Sequence, residues 1–385
     1  MRIAFFCKRR YTGKDVITDR FGRLYEMPRF LVDRGHCVRA HCLDYHAGEA
    51  GAWTHALASG SIRWETHPAR AQHPVALARI PARILHAMRD YAPDVLIGAS
   101  DIPSVALTAW LSSRLDVPCA IDLYDNFESF GQARIPGFRT ALRAAARRAS
   151  LVTTVSDPLA EHAIRRYGLE GEVITIANGV SPQVFHPMDK ATARARLGLP
   201  QGAKLVGTAG GLSRGKGVDV LYSAWQRLAE RDRDVHLVLA GPLSPSAPLP
   251  VGDRVHYLGN LPHRQVATLF GALDVGVVTL SDDAFGRFCF PQKAYEMLAC
   301  DLPIVATDVG VMSDLLGGFP DLLYAAGDAD ALARSIARQL ADPVATSIPA
   351  RDWDSLLPVL EQALVGVVAQ ASGAGSRPAG PIEWM

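Results

Sequence analysis

The stretch FCFPQKAYEMLACDLPIVATDVG, residues 288–310, joins a helical pattern to a short apolar run that ends at Asp308. Pro291 suits the first turn of a helix. The run LPIVATD (302–308) is typical of a strand buried on both faces. A helix that leads into a buried strand is the repeating unit of a parallel α/β sheet, and this segment therefore predicts that fold class. Its helical part carries one carboxylate, Glu296.

The same alternation of short apolar runs with helical spacing fills most of the chain and restarts once. It predicts two doubly wound α/β domains joined by a turn at Asn178-Gly179, since Asn-Gly followed by two prolines is typical of a hinge. We expect an N-terminal Rossmann-like domain over 1–183, a C-terminal one over 188–352, a closing helix over 353–370 and a disordered tail over 371–385. The predicted strands are 2–6, 37–43, 94–99, 118–124, 151–156, 172–177, 204–210, 235–241, 254–259, 275–280 and 302–308.

Length and charge agree with this division. A chain of 385 residues exceeds what one core usually holds. The net charge of +1 gives no field that favours nucleic acid. Residues 1–187 hold 23 Lys and Arg against 18 Asp and Glu, and residues 188–385 hold 17 against 21. A basic half favours an anionic partner, such as a membrane surface or a phosphorylated substrate, although chance explains this asymmetry equally well.

Cysteine usage and hydropathy indicate a cytoplasmic protein, peripheral to the membrane at most. The six cysteines are scattered in apolar runs, which is typical of buried thiols in a reducing compartment. The N-terminal run Ile3–Cys7 is too short for a signal peptide, and no run reaches the roughly 18 apolar residues of a spanning helix. His41-Cys42 could bind a metal, but its alternating strand context favours packing.

A glycine-rich loop follows the predicted strand 204–210, in the sequence VGTAGGLSRGKGVDVL (206–221). Small residues allow a ligand to approach the backbone, and a helix start favours an anion. Arg214 and Lys216 add positive charge there. The loop therefore favours phosphate binding over an ordinary surface turn, and it lacks the spacing of an ATP-hydrolysing or dinucleotide-binding loop. For Glu296 two interpretations stay open: an acid that favours the helix dipole, or a carboxylate that binds two ribose hydroxyls.

Several of these motifs together resemble the retaining glycosyltransferases of family 4, which have the GT-B fold. Residues 288–310 are similar to the family's donor-site signature, 206–221 to its phosphate loop, and EVITIANGVSPQVFHP (172–187) to its hinge. The resemblance covers about residues 90–365. It implies two Rossmann-like domains facing across a cleft, with a C-terminal helix, beginning near Asp352-Trp353, that crosses back to the first domain.

The resemblance also implies roles for residues. Glu296 would hold the ribose of a nucleoside-diphosphate sugar, and Lys216 its diphosphate. Backbone amides from Gly286 to Phe290 would meet the distal phosphate and the sugar. Gly13 and Lys14, after the first strand, would contact donor and acceptor. The candidate donor-binding residues are Glu296, Gly210, Gly211, Gly286, Phe288, Phe290, Lys293 and Gly13.

Three positions depart from the family pattern. Phe288 stands where the first acid of the family's Glu-x7-Glu pair is expected, which puts the contacts of the donor sugar in question. Gly211 stands where an arginine is expected, and Arg214 is the candidate substitute. Tyr124-Asp125 stands where a His is often followed by Asp. Because Tyr124 and Asp125 end a strand, they are candidates for acceptor binding or proton transfer, with capping and turn chemistry as the alternative.

The sequence gives little indication of a metal site or of membrane binding. The Asp-x-Asp spellings at 232–234, 328–330 and 352–354 fall where Asp commonly caps a helix, and we expect no required metal. In FRTALRAAARRA (138–149), Arg139, Arg143 and Arg147 share one helical face. That face suits an anionic membrane carrying a lipid-linked acceptor, or it is simply a solvated surface.

The sequence therefore predicts a retaining GT-B glycosyltransferase with Lys216, Arg214, Asp125 and Tyr124 as catalytic candidates. It would move a sugar from a nucleoside-diphosphate sugar to a hydroxyl of a glycan or lipid-linked acceptor, in bacterial surface polysaccharide synthesis. Two alternatives remain open. One is a nucleotide-sugar epimerase or hydrolase of the same fold. The other is a degenerate nucleotide-binding scaffold, which the loss of the acid at Phe288 would fit.

Overall fold

The computed structural model describes residues 1–373 except 12, 47–49, 71–72, 345 and 347. It divides into two compact units. Unit 1 comprises Met1–Asn178 together with the chain from Trp353 onward, and unit 2 comprises Gly179–Asp352. Residues 179–183, which the sequence places at the end of the first domain, thus fall in unit 2.

Unit 1 is built on one long sheet. The strands of unit 1 are β1 (Arg2–Lys8), β2 (Arg10–Tyr11), β3 (Lys14–Asp15), β4 (Cys37–Asp44), β5 (Gly51–Leu57), β6 (Gly60–Pro68), β7 (Val95–Ala99), β8 (Cys119–Leu123), β9 (Leu151–Thr154) and β10 (Glu172–Thr175). Strands β2 and β3 pair with each other in a separate two-stranded sheet. Its helices up to Asn178 are α1 (Arg23–Asp33), α2 (Pro74–Tyr91), α3 (Ile102–Leu115), α4 (Phe138–Arg148) and α5 (Asp157–Tyr167).

The sheet of unit 1 has the strand order β10-β9-β8-β7-β1-β4-β6-β5. Its strand pairs are parallel except that β5 runs antiparallel to β6. Strands β7, β8 and β9 are buried along their whole length, as expected for parallel strands covered on both faces. The hairpin of β5 and β6 is absent from the sequence prediction, because β5 is an edge strand whose residues are mostly exposed or half-buried.

Unit 2 is a smaller parallel sheet with helices. Its strands are β11 (Lys204–Ala209), β12 (Val235–Ala240), β13 (Val255–Tyr257), β14 (Val275–Val278), β15 (Ile304–Thr307) and β16 (Leu323–Tyr324), in the order β13-β12-β11-β14-β15-β16. Its helices are α6 (Lys190–Leu197), α7 (Val218–Arg231), α8 (His263–Ala272), α9 (Gln292–Ala299), α10 (Val311–Leu315) and α11 (Ala329–Ala341). This is the doubly wound Rossmann order, and the two-domain α/β fold expected from the sequence is confirmed.

In each sheet the chain winds outward from a central strand in both directions, and ligands bind at the carboxyl ends of the strands where the direction changes. In unit 2 this switch lies between β11 and β14. In unit 1 it lies between β1 and β7. The loops after these four strands are therefore where functional residues are to be sought.

Two helices close the chain within unit 1, namely α12 (Trp353–Leu356) and α13 (Pro358–Gly373). Their buried residues include Trp353, Leu360 and Leu364. Arg29 of α1 binds Asp354 at 2.5 Å, and Arg34 binds Glu361 at 2.9 Å. The helix continues through 371–373, which the sequence assigns to the tail, and the rest of that predicted tail lies outside the described residues.

The helical stretch Trp353–Gly373 is long and apolar enough to cross a membrane, judged by length and composition alone. Its apolar window has a mean hydropathy of 1.3 and is 33% buried inside unit 1. The sequence analysis did not identify such a run. Because Asp354 pairs with Arg29 of α1, Glu361 pairs with Arg34 just after α1, and Leu360 and Leu364 are buried, we interpret it as a helix packed on unit 1.

Candidate active site

The glycine-rich loop after β11 brings two lysines together. Gly210 has φ +115°, a conformation that side chains rarely adopt, and its N–H donates to the Ala240 carbonyl at 2.9 Å. A Cβ placed on Gly210 would lie 3.6 Å from Nζ of Lys293, and one placed on Gly211 would lie 3.3 Å from Nζ of Lys216. Two ammonium groups thus lie beside two adjacent glycines at the switch of the unit 2 sheet.

Neither ammonium has a carboxylate partner within the part of the chain that the structure describes. Lys216 lies 6.0 Å from the centroid of the Phe285 ring. Burial and the charge of Lys216 lower the pKa of Lys293 to about 8, while Cys289 and Glu296 act in the opposite direction. Two converging cations without counter-ions are unfavourable in the free protein, and an anion bound between them relieves that repulsion.

Arg214 is placed differently from the two lysines. Its side chain is 72% exposed and its ion pair is with Asp219 of α7, at 3.7 Å. The atoms nearest to Cβ positions on Gly210 and Gly211 belong to Lys293 and Lys216, and Arg214 is not among them. The structure thus brings Lys293, rather than Arg214, next to Lys216.

The loop after β14, residues 279–290, folds tightly on itself. A Cβ on Gly286 would lie 1.9 Å from the Ser281 carbonyl oxygen, so this position requires glycine. The N–H of Gly286 donates to the Asp283 carboxylate, and that of Arg287 donates to the Asp283 carbonyl. The N–H groups of Phe288 and Cys289 donate to the Phe285 carbonyl.

These bonds bear on the expectation that amides from Gly286 to Phe290 bind the donor. The first four of those amides have acceptors inside the loop. Among the described residues, the Phe290 N–H has no such acceptor. The Phe290 ring stacks on Tyr295, with centroids 4.5 Å apart and an interplanar angle of 20°. Phe288, at the position of the family acid, is half-buried.

Glu296 lies in the second turn of α9 and is 8% exposed. Its place in the second turn removes the explanation that it serves the dipole at the helix start, which acts within the first turn. Its Oε1 atom lies 3.3 Å from Nε2 of His263, the first residue of α8. The His263 ring in turn packs edge-on against Phe185, at 4.9 Å. His263 was not predicted as a site residue. The sequence shows it only as a polar residue that follows the predicted strand 254–259.

The carboxyl edge of the unit 1 sheet carries a second cluster. Lys8, at the end of β1, donates from Nζ to the Tyr124 hydroxyl at 2.9 Å and from its backbone N–H to Ser100 Oγ at 2.7 Å. Its ammonium also lies 5.9 Å from the Phe130 ring centroid. Burial lowers the pKa of Lys8 and raises the pKa of Tyr124 well above its usual value. Tyr124 therefore keeps its proton, and the sequence analysis overlooked Lys8.

The acids near Tyr124 in the sequence have different roles. Asp122 is buried and accepts hydrogen bonds from Arg23 at 2.7 Å and from Thr153 at 2.5 Å. Glu128 pairs with Arg143 at 2.7 Å. Asp125 accepts from the Asn126 N–H at 2.8 Å, which is the turn chemistry weighed as its alternative role.

Gly13 lies between the short strands β2 and β3 with φ +80° and has open space where a side chain would be. The candidates thus form two groups, one in each unit. Gly13, Lys14, Tyr124 and Asp125 belong to unit 1, and the other donor-binding and catalytic candidates belong to unit 2.

One acid of each Asp-x-Asp spelling has a structural partner. Asp232 pairs with Lys204, Asp328 caps α11, and Asp354 pairs with Arg29. A different group could hold a metal ion by distance, since donor atoms of His41, Glu65 and His67 all lie within 4.8 Å of one another. The two histidines already share a hydrogen bond of 3.0 Å and stack.

Two family models match the chain, one in each unit. Residues 23–179 match a glycosyl transferase 4-like domain, and residues 203–342 match glycosyl transferases group 1. Together they span more than half of the chain.

Curated relatives agree with these models. The chain is 30% identical over 263 residues to a putative teichuronic acid biosynthesis glycosyltransferase of Bacillus subtilis, covering 68% of this chain and 65% of that protein. It is 29% identical over 291 residues to a D-inositol 3-phosphate glycosyltransferase of Catenulispora acidiphila, covering 66% and 68%. The chain thus spans about two thirds of the length of these relatives.

Solved structures resemble the whole chain at low sequence identity. A sucrose-phosphate synthase from Thermosynechococcus elongatus matches with a TM-score of 0.69 and 21% identity, covering 97% of each chain. Anabaena HepE, solved in complex with UDP-glucose, matches with a TM-score of 0.64 and 21% identity, covering 97% of this chain and 98% of that one. With two glycosyltransferase models matched in order, glycosyltransferase relatives and this fold, the chain belongs to the family-4-like glycosyltransferases of the GT-B fold.

Proposed function

We propose that this chain is a retaining glycosyltransferase that moves a sugar from a nucleoside-diphosphate sugar to a hydroxyl of a glycan or lipid-linked acceptor. One observation carries the proposal: Lys216 and Lys293 converge on Gly210-Gly211, at the switch of the unit 2 sheet, and no described carboxylate pairs with either of them. Glu296, on the same helix as Lys293, supplies a buried carboxylate for ribose hydroxyls. This combination suits a nucleoside diphosphate better than a free phosphate or a sugar.

The relatives support the identity of the donor and a role in polysaccharide synthesis. HepE is described in complex with UDP and with UDP-glucose, and a uridine donor is therefore the first to test here. The Bacillus subtilis relative is named for teichuronic acid biosynthesis, which supports a role in a bacterial surface polysaccharide.

The proposed chemistry needs no side-chain nucleophile. Lys216 neutralises charge as the diphosphate leaves, and preorganised cations of this kind stabilise a transition state strongly. The leaving phosphate oxygen accepts the proton of the acceptor hydroxyl, and the sugar retains its anomeric configuration. The proposal assigns the neutralisation to protein cations and requires no metal.

For the acceptor we propose the carboxyl edge of the unit 1 sheet. Phe130 offers a half-buried ring there, and Lys8 and Asp125 offer polar groups for hydroxyls. Aromatic faces with a few polar groups are typical of carbohydrate sites, because they match the alternating apolar and polar faces of a sugar.

A cytoplasmic location with peripheral contact to an anionic membrane is part of the same proposal. Fewer arginines of the 138–149 helix are available for this contact than the sequence suggested, because Arg143 and Arg147 pair with Glu128 and Glu170. Arg139 and Ile135 are exposed in the same region. Sedimentation with vesicles containing phosphatidylglycerol tests this part, and an Arg139→Glu variant that sediments as well as wild type would refute it.

The deciding experiment is calorimetric titration with UDP, GDP, ADP, TDP and CMP, followed by turnover of the matching nucleotide sugar with and without acceptor. Tight binding of one nucleotide with transfer that depends on the acceptor supports the proposal. Turnover without acceptor would instead indicate an epimerase or hydrolase. Binding without any turnover would indicate a degenerate scaffold.

A further inference from the structure

Lys293 has an environment that its neighbours on α9 do not share. It is the second residue of α9, its side chain is half-buried, and its ammonium lies beside Gly210. Within the described ranges no carboxylate, carbonyl or hydroxyl accepts a hydrogen bond from this ammonium. A lysine that loses water without gaining a partner is destabilised as a cation.

Three charged or titratable groups face Lys293. Lys216, from the loop after β11, opposes its charge. Cys289, from the loop before α9, and Glu296, from α9 itself, favour it. Burial and the charge of Lys216 have a larger effect than Cys289 and Glu296 together, and they lower the pKa of Lys293 to about 8. At pH 8 about half of the free protein molecules therefore carry an uncharged Lys293.

We infer that Lys293 is the second cation of the donor diphosphate site, in place of the arginine missing at Gly211, and that it takes up a proton when the nucleotide binds. The inference rests on the proposed function. A bound diphosphate brings negative charge between Lys216 and Lys293, which favours the charged form of both. The proton comes from the buffer, and no bond is made or broken in the nucleotide.

The sign of the effect follows from these charges. Near pH 8 the bound diphosphate holds Lys293 protonated, so binding consumes protons there and weakens as the pH rises. Well below pH 7 Lys293 is already protonated in the free protein, and nucleotide binding then causes no proton uptake at this residue. The phosphate itself is fully ionised at pH 8, because its last pKa is about 6, and it contributes no proton there.

The experiment is calorimetry at pH 8 in HEPES and in Tris buffers, which differ in ionisation enthalpy and contain no phosphate to compete for the site, using the nucleoside diphosphate that wild type binds most tightly. We expect uptake of about half a proton per nucleotide in wild type, from the Lys293 pKa of about 8. Lys293→Arg keeps a permanent charge, so it should bind with no uptake. Lys293→Met should bind at least about tenfold more weakly, the loss expected for one charge-assisted hydrogen bond.

The matched control is Lys204→Met, at the amino end of β11, where Lys204 pairs with Asp232. It should retain wild-type affinity and proton uptake. Equal uptake in wild type and Lys293→Arg, or binding by Lys293→Met within about twofold of the control, would overturn the inference while leaving the proposed function intact. Failure of wild type to bind any nucleotide would instead overturn the proposed function.

Discussion

The Nε2 atom of His263 lies 3.3 Å from Oε1 of Glu296, although 33 positions separate the two residues along the chain. His263 begins α8 and Glu296 lies in α9, so the contact ties together two neighbouring helices of unit 2. The Phe185 ring packs edge-on against the same imidazole, with centroids 4.9 Å apart. The carboxylate therefore has a fixed orientation before any ligand arrives.

Glu296→Ala should remove most nucleotide binding and transfer, because two ribose hydroxyls lose their acceptor. His263→Ala should cause a smaller loss, seen mainly in the KM for the donor, because it frees the carboxylate without removing it. Calorimetry and initial rates measure both effects. Wild-type rates in Glu296→Ala would refute the ribose assignment, and His263→Ala worse than Glu296→Ala would refute the positioning role.

Lys216→Ala should weaken nucleotide binding about 10- to 100-fold, since a charge-assisted hydrogen bond contributes about 1.5–3 kcal/mol. Arg214→Ala should weaken binding about fivefold or less, because the Arg214 side chain is exposed and an exposed cation gains about 1 kcal/mol at most from an opposite charge. Titration of both variants with the same nucleotide compares them directly. Equal losses of affinity would indicate that Arg214 binds the diphosphate, as the sequence suggested.

Gly286→Ala should destabilise unit 2 by about 1–3 kcal/mol, the usual cost of overpacking. Its Cβ would meet the Ser281 carbonyl, which is backbone and cannot rotate away. Gly202→Ala is the control, because nothing lies within 4 Å of a Cβ there. Urea unfolding measures both free energies, and equal stability of the two variants would mean that the 279–290 loop is not held as described.

Arg23→Met should cost about 3–5 kcal/mol of unfolding free energy, because it leaves the buried carboxylate of Asp122 without its cation. The same change at Arg165, whose pair with Glu161 is exposed, should cost about 1 kcal/mol or less. Both variants lie in unit 1, and one denaturation series compares them. A loss for Arg23→Met no larger than that for Arg165→Met would contradict the buried-pair interpretation.

The sequence predicts what depends on local pattern. Continuous apolar runs such as 94–99 and 275–280 correspond to the buried strands β7 and β14, and helical spacing over 102–115 corresponds to α3. The edge strand β5 has no such run, because only one of its residues is fully buried. The glycine-rich loop and Glu296 can likewise be identified from residue types and their spacing.

Side-chain direction and long-range contact are not visible in that pattern. Arg214 and Lys216 are two positions apart, yet Arg214 pairs with Asp219 while the Lys216 ammonium lies beside Gly211. The contact of His263 with Glu296 depends on how α8 and α9 pack. The bonds that occupy the amides of Gly286 to Cys289 depend on the local turn, which composition alone does not fix.

Unit 1 is discontinuous in sequence, because α12 and α13 join it after all of unit 2 has been passed. A ribosome therefore completes unit 2 while unit 1 still lacks its closing helices. Unit 2 can reach its final form during synthesis, whereas unit 1 waits for residues that are made about 175 positions later. A premature stop codon at position 353 would spare unit 2 and expose the surface of unit 1 against which Leu360 and Leu364 pack, which favours aggregation.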